Sequence, residues 1–189
     1  PQGRARVFAL SAASGEPIWE FETENYALQT PAKFQNSLYV GGGFQGPEKV
    51  EQGGYVRIYA LDAASGSVRW AYEAIDGFPK GLYATEQVVV FVGYQDFATG
   101  VDAQTGEQRW RRDTGNWVPT LMGDEELVYL GSANTIVHAL RAADGEPVWH
   151  FNIPGGSFNY LLGAPVRHED NLYFLTQHGD VLALDARTG

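Results

Sequence analysis

A short phrase recurs along this chain of 189 residues, and a fixed internal period constrains architecture more than any other property of a sequence. The copies read VFALSAASGEPIW (7–19), IYALDAASGSVRW (58–70), FATGVDAQTGEQRW (97–110), VHALRAADGEPVW (137–149) and VLALDARTG (181–189). Their glycines Gly15, Gly66, Gly106, Gly145 and Gly189 lie 51, 40, 39 and 44 residues apart, and Trp19, Trp70, Trp110 and Trp149 keep step. A period near 40 is too short for a domain. It suits one supersecondary unit that buries its faces only by stacking on its neighbours.

Local pattern identifies the unit. Before each turn the residues alternate, as in Val56, Ile58 and Ala60 against Arg57, Tyr59 and Leu61, which is the period of a strand with two differently used faces. After the turn the chain is again β-rich, as in SVRWAYEA and EPIWEFET. Small polar residues followed by glycine supply the hairpin turn. Five hairpin copies are read at 7–22, 56–73, 97–112, 136–151 and 180–189. Between them, TPAKFQNSLYVGG (30–42), ATEQVVVFVG (84–93), TLMGDEELVYLGS (120–132) and APVRHEDNLYFLT (164–176) share a polar tip followed by an apolar strand. Two pairs make four strands per repeat, and no helix-period stretch interrupts them. The sequence therefore predicts an all-β fold, a β-propeller of four-stranded antiparallel blades. About four blades fit within a single segment, 1–189, expected to be part of a larger propeller of about eight.

A small residue, Asp two positions on, Gly six on and Trp ten on occur as Ala60, Asp62, Gly66 and Trp70. Variants are Ala9, Ser11, Gly15, Trp19; Gly100, Asp102, Gly106, Trp110; and Ala139, Arg141, Gly145, Trp149. Ala183, Asp185 and Gly189 begin a fifth. This resembles the tryptophan-docking pattern of the PQQ-like repeat β-propellers, the BamB-like and quinoprotein-type family, and the resemblance covers essentially the whole chain. It implies that the four tryptophans, with Gly15, Gly66, Gly106 and Gly145, are structural docking residues between blades. The family includes binding scaffolds, sensor domains and enzymes, so fold alone does not choose a function.

Composition narrows the choice. Net charge is −10 with acidic residues dispersed, which argues against nucleic acid or an anionic membrane as partner, and no apolar run is long enough to span a bilayer. There is no cysteine. The resemblance implies that quinoprotein dehydrogenases cover their cofactor with adjacent cysteines, hold Ca²⁺ through Glu and Asn, use an Asp base and need about eight blades. The expectation is thus no cofactor, with PQQ the one left open, no catalytic residues and no metal site. His138, His150, His168 and His178 lack a metal-ligand spacing. GGGFQG (41–46) lacks the lysine and helix of a phosphate loop and reads as a flexible turn. Asp124, Glu125 and Glu126 read as a solvated hairpin tip.

Two departures from the repeat carry the binding expectation. The 51-residue spacing holds an insertion, GGGFQGPEKVEQGGY (41–55), between the second and third strands of its blade. Tyr26, Phe78 and Tyr160 lie 12 residues, and Trp117 11 residues, before the following apolar strand, where a propeller chain crosses from one blade to the next. The candidate partner-binding residues are Tyr26, Phe44, Gln45, Glu48, Lys49, Phe78, Trp117 and Tyr160, on one end of the molecule, because aromatics supply contact area at low entropy cost. The resemblance then implies a non-catalytic binding or scaffold module for protein or peptide partners, acting extracytoplasmically (periplasm or cell surface). Two alternatives stand beside it: a PQQ- or ligand-sensing domain of a larger signalling protein such as a bacterial receptor kinase, and a fragment of a PQQ-dependent dehydrogenase. Because the chain starts and stops at the third strand of a blade, two copies pairing edge to edge as a homodimer is a further expectation.

Overall fold

The computed structural model describes residues 4–23, 25–44, 55–75, 79–93, 96–156 and 159–189, with backbone only at 25–27 and 44. Among the described residues there are eighteen strands and no helix, so none is long and apolar enough to cross a membrane. β1 (Arg6–Leu10) and β2 (Pro17–Glu22) form a two-stranded sheet. β3 (Asn25–Leu28) and β4 (Ala32–Phe34) share one edge of β5 (Ser37–Phe44), followed by β6 (Tyr55–Asp62) and β7 (Val68–Ala74). The third sheet runs β8 (Pro79–Ala84), β9 (Val88–Gly93), β10 (Phe97–Asp102), β11 (Gln108–Asp113), and the fourth β12 (Thr120–Gly123), β13 (Leu127–Ser132), β14 (Ile136–Arg141), β15 (Pro147–Asn152). The last holds β16 (Val166–His168), β17 (Asn171–Leu175) and β18 (Val181–Asp185), with a single bridge from Leu161 to Thr176 beside it.

Each sheet is an antiparallel meander. Three are complete blades, and the first and last sheets are not hydrogen-bonded to one another among the described residues. Meandering puts the first-to-second and third-to-fourth strand turns at one end of every blade. The second-to-third turns and the crossovers to the next blade lie at the other.

The core is a series of seams between successive sheets. β9 shows why: it is buried along its whole length, with Val89 and Phe91 packing toward the preceding sheet and Val88, Val90 and Val92 toward the following one. A strand buried on both faces reads as a continuous apolar run, as VVVFV does. The same two-way division builds the seam of Val7, Val40, Tyr59 and Leu61 between the first two sheets, and that of Tyr129, Val137, Leu172 and Phe174 between the last two.

The expectation of a flexible turn at 41–46 is corrected for its first four residues. Gly41–Phe44 belongs to β5, paired with Tyr55–Ile58 of β6; residues 45 and 46, with the rest of the insertion to 54, lie outside the described residues. The glycine density has a packing cause at Gly41, where a Cβ would stand 2.5 Å from Ile58 Cδ1 and 3.2 Å from a methyl of Leu82 in the next sheet. A glycine inside a strand often marks such a close approach.

Candidate functional site

The repeated phrase assembles one contact four times. In each hairpin the small residue faces the tryptophan across the strand pair: Ala9 and Trp19, Ala60 and Trp70, Gly100 and Trp110, Ala139 and Trp149. Each hairpin then shifts register one residue on, as a β-bulge does when it re-aims a side chain. The indole Nε1–H leaves its own sheet and donates to a carbonyl in the next: Trp19 to Ala63 at 3.1 Å, Trp70 to Ala103 at 3.0 Å, Trp110 to Ala142 at 2.9 Å and Trp149 to Ala186 at 3.0 Å. The ring lies against the glycine of that turn. A Cβ on Gly66, Gly106, Gly145 or Gly189 would meet ring atoms of Trp19, Trp70, Trp110 or Trp149 at 2.6–2.8 Å. Those glycines also hold φ of +70 to +77°, a conformation that costs any residue with a Cβ.

Aspartate closes the same turns. Asp62 Oδ1 accepts from the amides of Ala64 and Ser65, and Arg69 donates to Oδ2 at 2.6 Å; Asp102 repeats this with Gln104, Thr105 and Arg109. The Arg69 bond, helped by the Ser65 amide, lowers Asp62 to a pKa of about 2. In the fourth sheet Arg141 replaces the aspartate, and Asp144 takes its partner role by accepting from Arg141 at 2.7 Å and from the Glu146 amide.

At the crossover end, the half-buried rings of Trp117 and Tyr160 come from successive sheets and approach to 6.3 Å between centroids, tilted by 58°. Both crossovers are tied down by backbone: the Trp117 carbonyl accepts from Ala133 N–H at 3.0 Å, and the Tyr160 carbonyl from Gln177 N–H at 2.9 Å, both donors lying in second-to-third strand turns. Tyr26 lies on β3, at a register shift between Asn25 and Ala27, so its backbone belongs to a strand and not to a free crossover. Phe44 ends β5, paired with Tyr55 and Asn25. Gln45, Glu48, Lys49 and Phe78 lie outside the described residues.

The opposite end holds a feature that the sequence reading passed over. A cavity of about 800 Å³ lies among the hairpin tips of three successive blades and two docking turns, with Phe34, Glu86, Glu125, Arg141, Val148 and Arg187 in its wall. Asp124, read as part of a solvated tip, is instead a staple. Its Oδ1 accepts from the amides of Glu126 and Leu127 at 2.8 Å each, and its Oδ2 from Tyr129 and from Arg167 of the next sheet. Burial pushes its carboxyl up, but the Leu127 and Glu126 amides and Arg167 outweigh this and hold it below the usual range. Burial and the Asp124 charge together push Tyr129 up to about 12. The only signal for this cavity in the sequence is that polar tips recur in one slot of each repeat; which tips converge depends on blade stacking.

A family profile described as outer membrane protein assembly factor BamB matches residues 3–189. The chain belongs to this family. Its similarity extends to the serine/threonine-protein kinase AfsK of Streptomyces coelicolor, 30% identical over 186 residues, covering 95% of this chain and 20% of the kinase. It extends also to the quinohemoprotein alcohol dehydrogenase ADH IIB of Pseudomonas putida, 26% identical over 187 residues, covering 93% of this chain and 26% of the enzyme. The crystal structure of BamB from Moraxella catarrhalis superposes with a TM-score of 0.70 at 20% identity, over 91% of this chain and 50% of that one, which shows the propeller fold. The chain thus spans a fifth to a half of the length of these proteins.

The chain has no cysteine, and among the described residues no three His, Asp or Glu side chains gather where a metal ion could sit. His138 and His150 face each other across β14 and β15; His168 ends β16 and His178 lies in the turn before β18.

Proposed function

We propose that this segment is a non-catalytic binding module that recognises protein or peptide segments at its crossover end. The observation that carries the reading is the Trp117–Tyr160 pair: two half-buried rings from successive blades, held side by side on crossovers that are themselves hydrogen-bonded to the neighbouring turns. Aromatics fixed in this way lose little entropy when a partner covers them. The description of the family as an outer membrane protein assembly factor supports both protein recognition and an extracytoplasmic site of action. Selection of a random dodecapeptide display library against the purified chain tests this. Enriched peptides are expected to bind a Trp117→Ala/Tyr160→Ala double variant at least tenfold more weakly. Equal binding to both proteins contradicts the reading.

A second reading, a ligand-sensing domain of a larger signalling protein, is favoured by the likeness to AfsK over 95% of the chain. Calorimetric titration with PQQ and Ca²⁺ separates the two. Saturable one-to-one binding at micromolar concentration supports sensing, and its absence leaves the peptide-binding module.

A further inference from the structure

Three hairpin tips meet at the large cavity in one register. Phe34, Thr85 and Asp124 each hold the last position before a two-residue turn: Phe34 pairs with Ser37, and the amides of Thr85 and Asp124 donate to the carbonyls of Val88 and Leu127. Thr85 and Asp124 use their side-chain oxygens on the tip itself. Thr85 Oγ1 accepts from the amides of Gln87 and Val88 at 3.3 and 3.0 Å, as Asp124 Oδ1 does from those of Glu126 and Leu127. Phe34 brings a phenyl ring to that position instead, and it stands in the cavity wall with Leu127 and Val148, the last 44% exposed. A second cavity of about 270 Å³ adjoins the first, with Phe34 and Glu86 in the walls of both.

The charges in these walls are unevenly satisfied. Each cation has its own carboxylate: Arg187 pairs with Glu126 at 3.0 Å, Arg141 with Asp144 at 2.7 Å and, in the smaller cavity, Arg69 with Asp62 at 2.6 Å. Glu86 and Glu125, which follow the capping residues of successive tips, are exposed in the wall and have no cationic partner among the described residues. They adjoin one another, because Glu125 Oε2 accepts from the Glu86 amide at 3.4 Å. A concave space of about 300–1,000 Å³ with an apolar wall and a few convergent polar groups is the usual form of a small-molecule site.

We propose that this cavity binds a small organic cation, a primary ammonium group carried on an apolar body. An ammonium has three N–H donors and no acceptor, so it donates to Glu86 and Glu125 together while the body covers Phe34, Leu127 and Val148. An organic anion of the same size meets two carboxylates that nothing neutralises. A hard metal ion, which takes six or more oxygen ligands, finds two side chains and leaves the apolar wall unused. The net charge of −10 favours the approach of a cation. The site uses none of the crossover-end residues and stands or falls apart from the peptide-binding reading.

The test is a nitrogen–proton NMR titration of the whole chain at neutral pH with phenylbutylamine, phenylbutanol and butylamine. Amides of Phe34, Glu86, Glu125 and Val148 are expected to shift saturably with sub-millimolar phenylbutylamine. The alcohol, which lacks the charge, and butylamine, which lacks the ring, should each bind at least tenfold more weakly. A Glu86→Gln/Glu125→Gln variant keeps the side-chain shapes and an acceptor for the Glu86 amide; it should bind phenylbutylamine at least tenfold more weakly at an unchanged urea midpoint. Val148→Ser, at an exposed position, should weaken binding about threefold. The Trp117→Ala/Tyr160→Ala variant should bind the amine as the unaltered chain does, so failure of this site and failure of the crossover-end reading are told apart. Four results overturn the proposal: no saturable shift with tens of millimolar amine, the alcohol binding as tightly as the amine, unchanged binding by the double glutamine variant, or Ca²⁺ shifting the same amides at lower concentration than the amine, which would make the pair a metal site.

Discussion

A single indole does three things in each seam: it fills volume, stacks on a glycine that has no room for a Cβ, and satisfies a carbonyl of the next blade. Trp70 is 8% exposed, so Trp70→Ala is expected to cost about 3–5 kcal/mol, read as a fall in urea midpoint at unchanged slope. Trp70→Phe keeps much of the packing but removes one of the two donors to the Ala103 carbonyl, leaving the Tyr39 hydroxyl at 3.3 Å, a cost of about 0.5–1.5 kcal/mol. The glycines separate the two components. Gly15→Ala and Gly106→Ala both place a Cβ at positive φ, a penalty of roughly 1–2 kcal/mol, but only at Gly106 does the new carbon also meet the Trp70 ring, at 2.8 Å. Gly106→Ala should therefore be the more destabilising by denaturant titration. Equal effects would mean that the ring contact carries no energy.

The turn aspartates set the acid limit. The carboxyls of Asp62, Asp102, Asp144 and Asp185 are all held below the ordinary value of 3.8 in the folded chain, Asp62 at about 2. The unfolded chain therefore binds more protons as pH falls. Their contribution is fully present above about pH 4 and is lost between there and about pH 2. Thermal midpoints should be nearly level from pH 7 to 5 on this account and fall between pH 4 and 2, and Asp62→Asn should flatten part of that fall.

At the scale of an element, the hairpin tips do more than turn the chain. Asp124 caps two amides of its own tip and reaches Arg167 in the following sheet, joining blade to blade at the end opposite the aromatic pair. Gly123, just before it, would place a Cβ 2.6 Å from the Leu127 carbonyl, which also accepts from Asp124 N–H at 2.9 Å. A backbone atom fixed by a hydrogen bond cannot step aside, so Gly123→Ala should cost about 1–3 kcal/mol, measurable as a lower unfolding midpoint. Elements were legible in the sequence where a local rule determined them. The period-2 runs, the turn glycines and the two-faced strand β9 all follow from alternation and turn chemistry. Gly41–Phe44 was not legible, because a glycine excluded by a neighbouring blade looks in sequence like a glycine required by a turn.

Across the whole molecule, one repeated contact links successive blades, and the seams it closes make the core. The two end sheets show the converse: Phe8, Leu10 and Ile18 on the first and Val166, Tyr173, Leu175 and Val181 on the last are exposed, each at the outer side of an array whose inner faces are covered. The period of the sequence carried that architecture. The aromatic pair was half legible: equal spacing placed Trp117 and Tyr160 on one end, but only blade stacking brings rings 43 residues apart to within 6.3 Å. The 800 Å³ cavity was not legible at all, being made of tips from different repeats, whose convergence no local pattern encodes.

The claim that ties these scales together is that Trp19, Trp70, Trp110 and Trp149 serve the seams. Hydrogen–deuterium exchange of the indole N–H groups, followed by NMR after each resonance is assigned by single substitution, tests it most directly. The account predicts that all four are protected, those of Trp70 and Trp110 as strongly as the amides of the central strands β9 and β13, because release requires two blades to part. Exchange of any of the four at the rate of an exposed indole would contradict it.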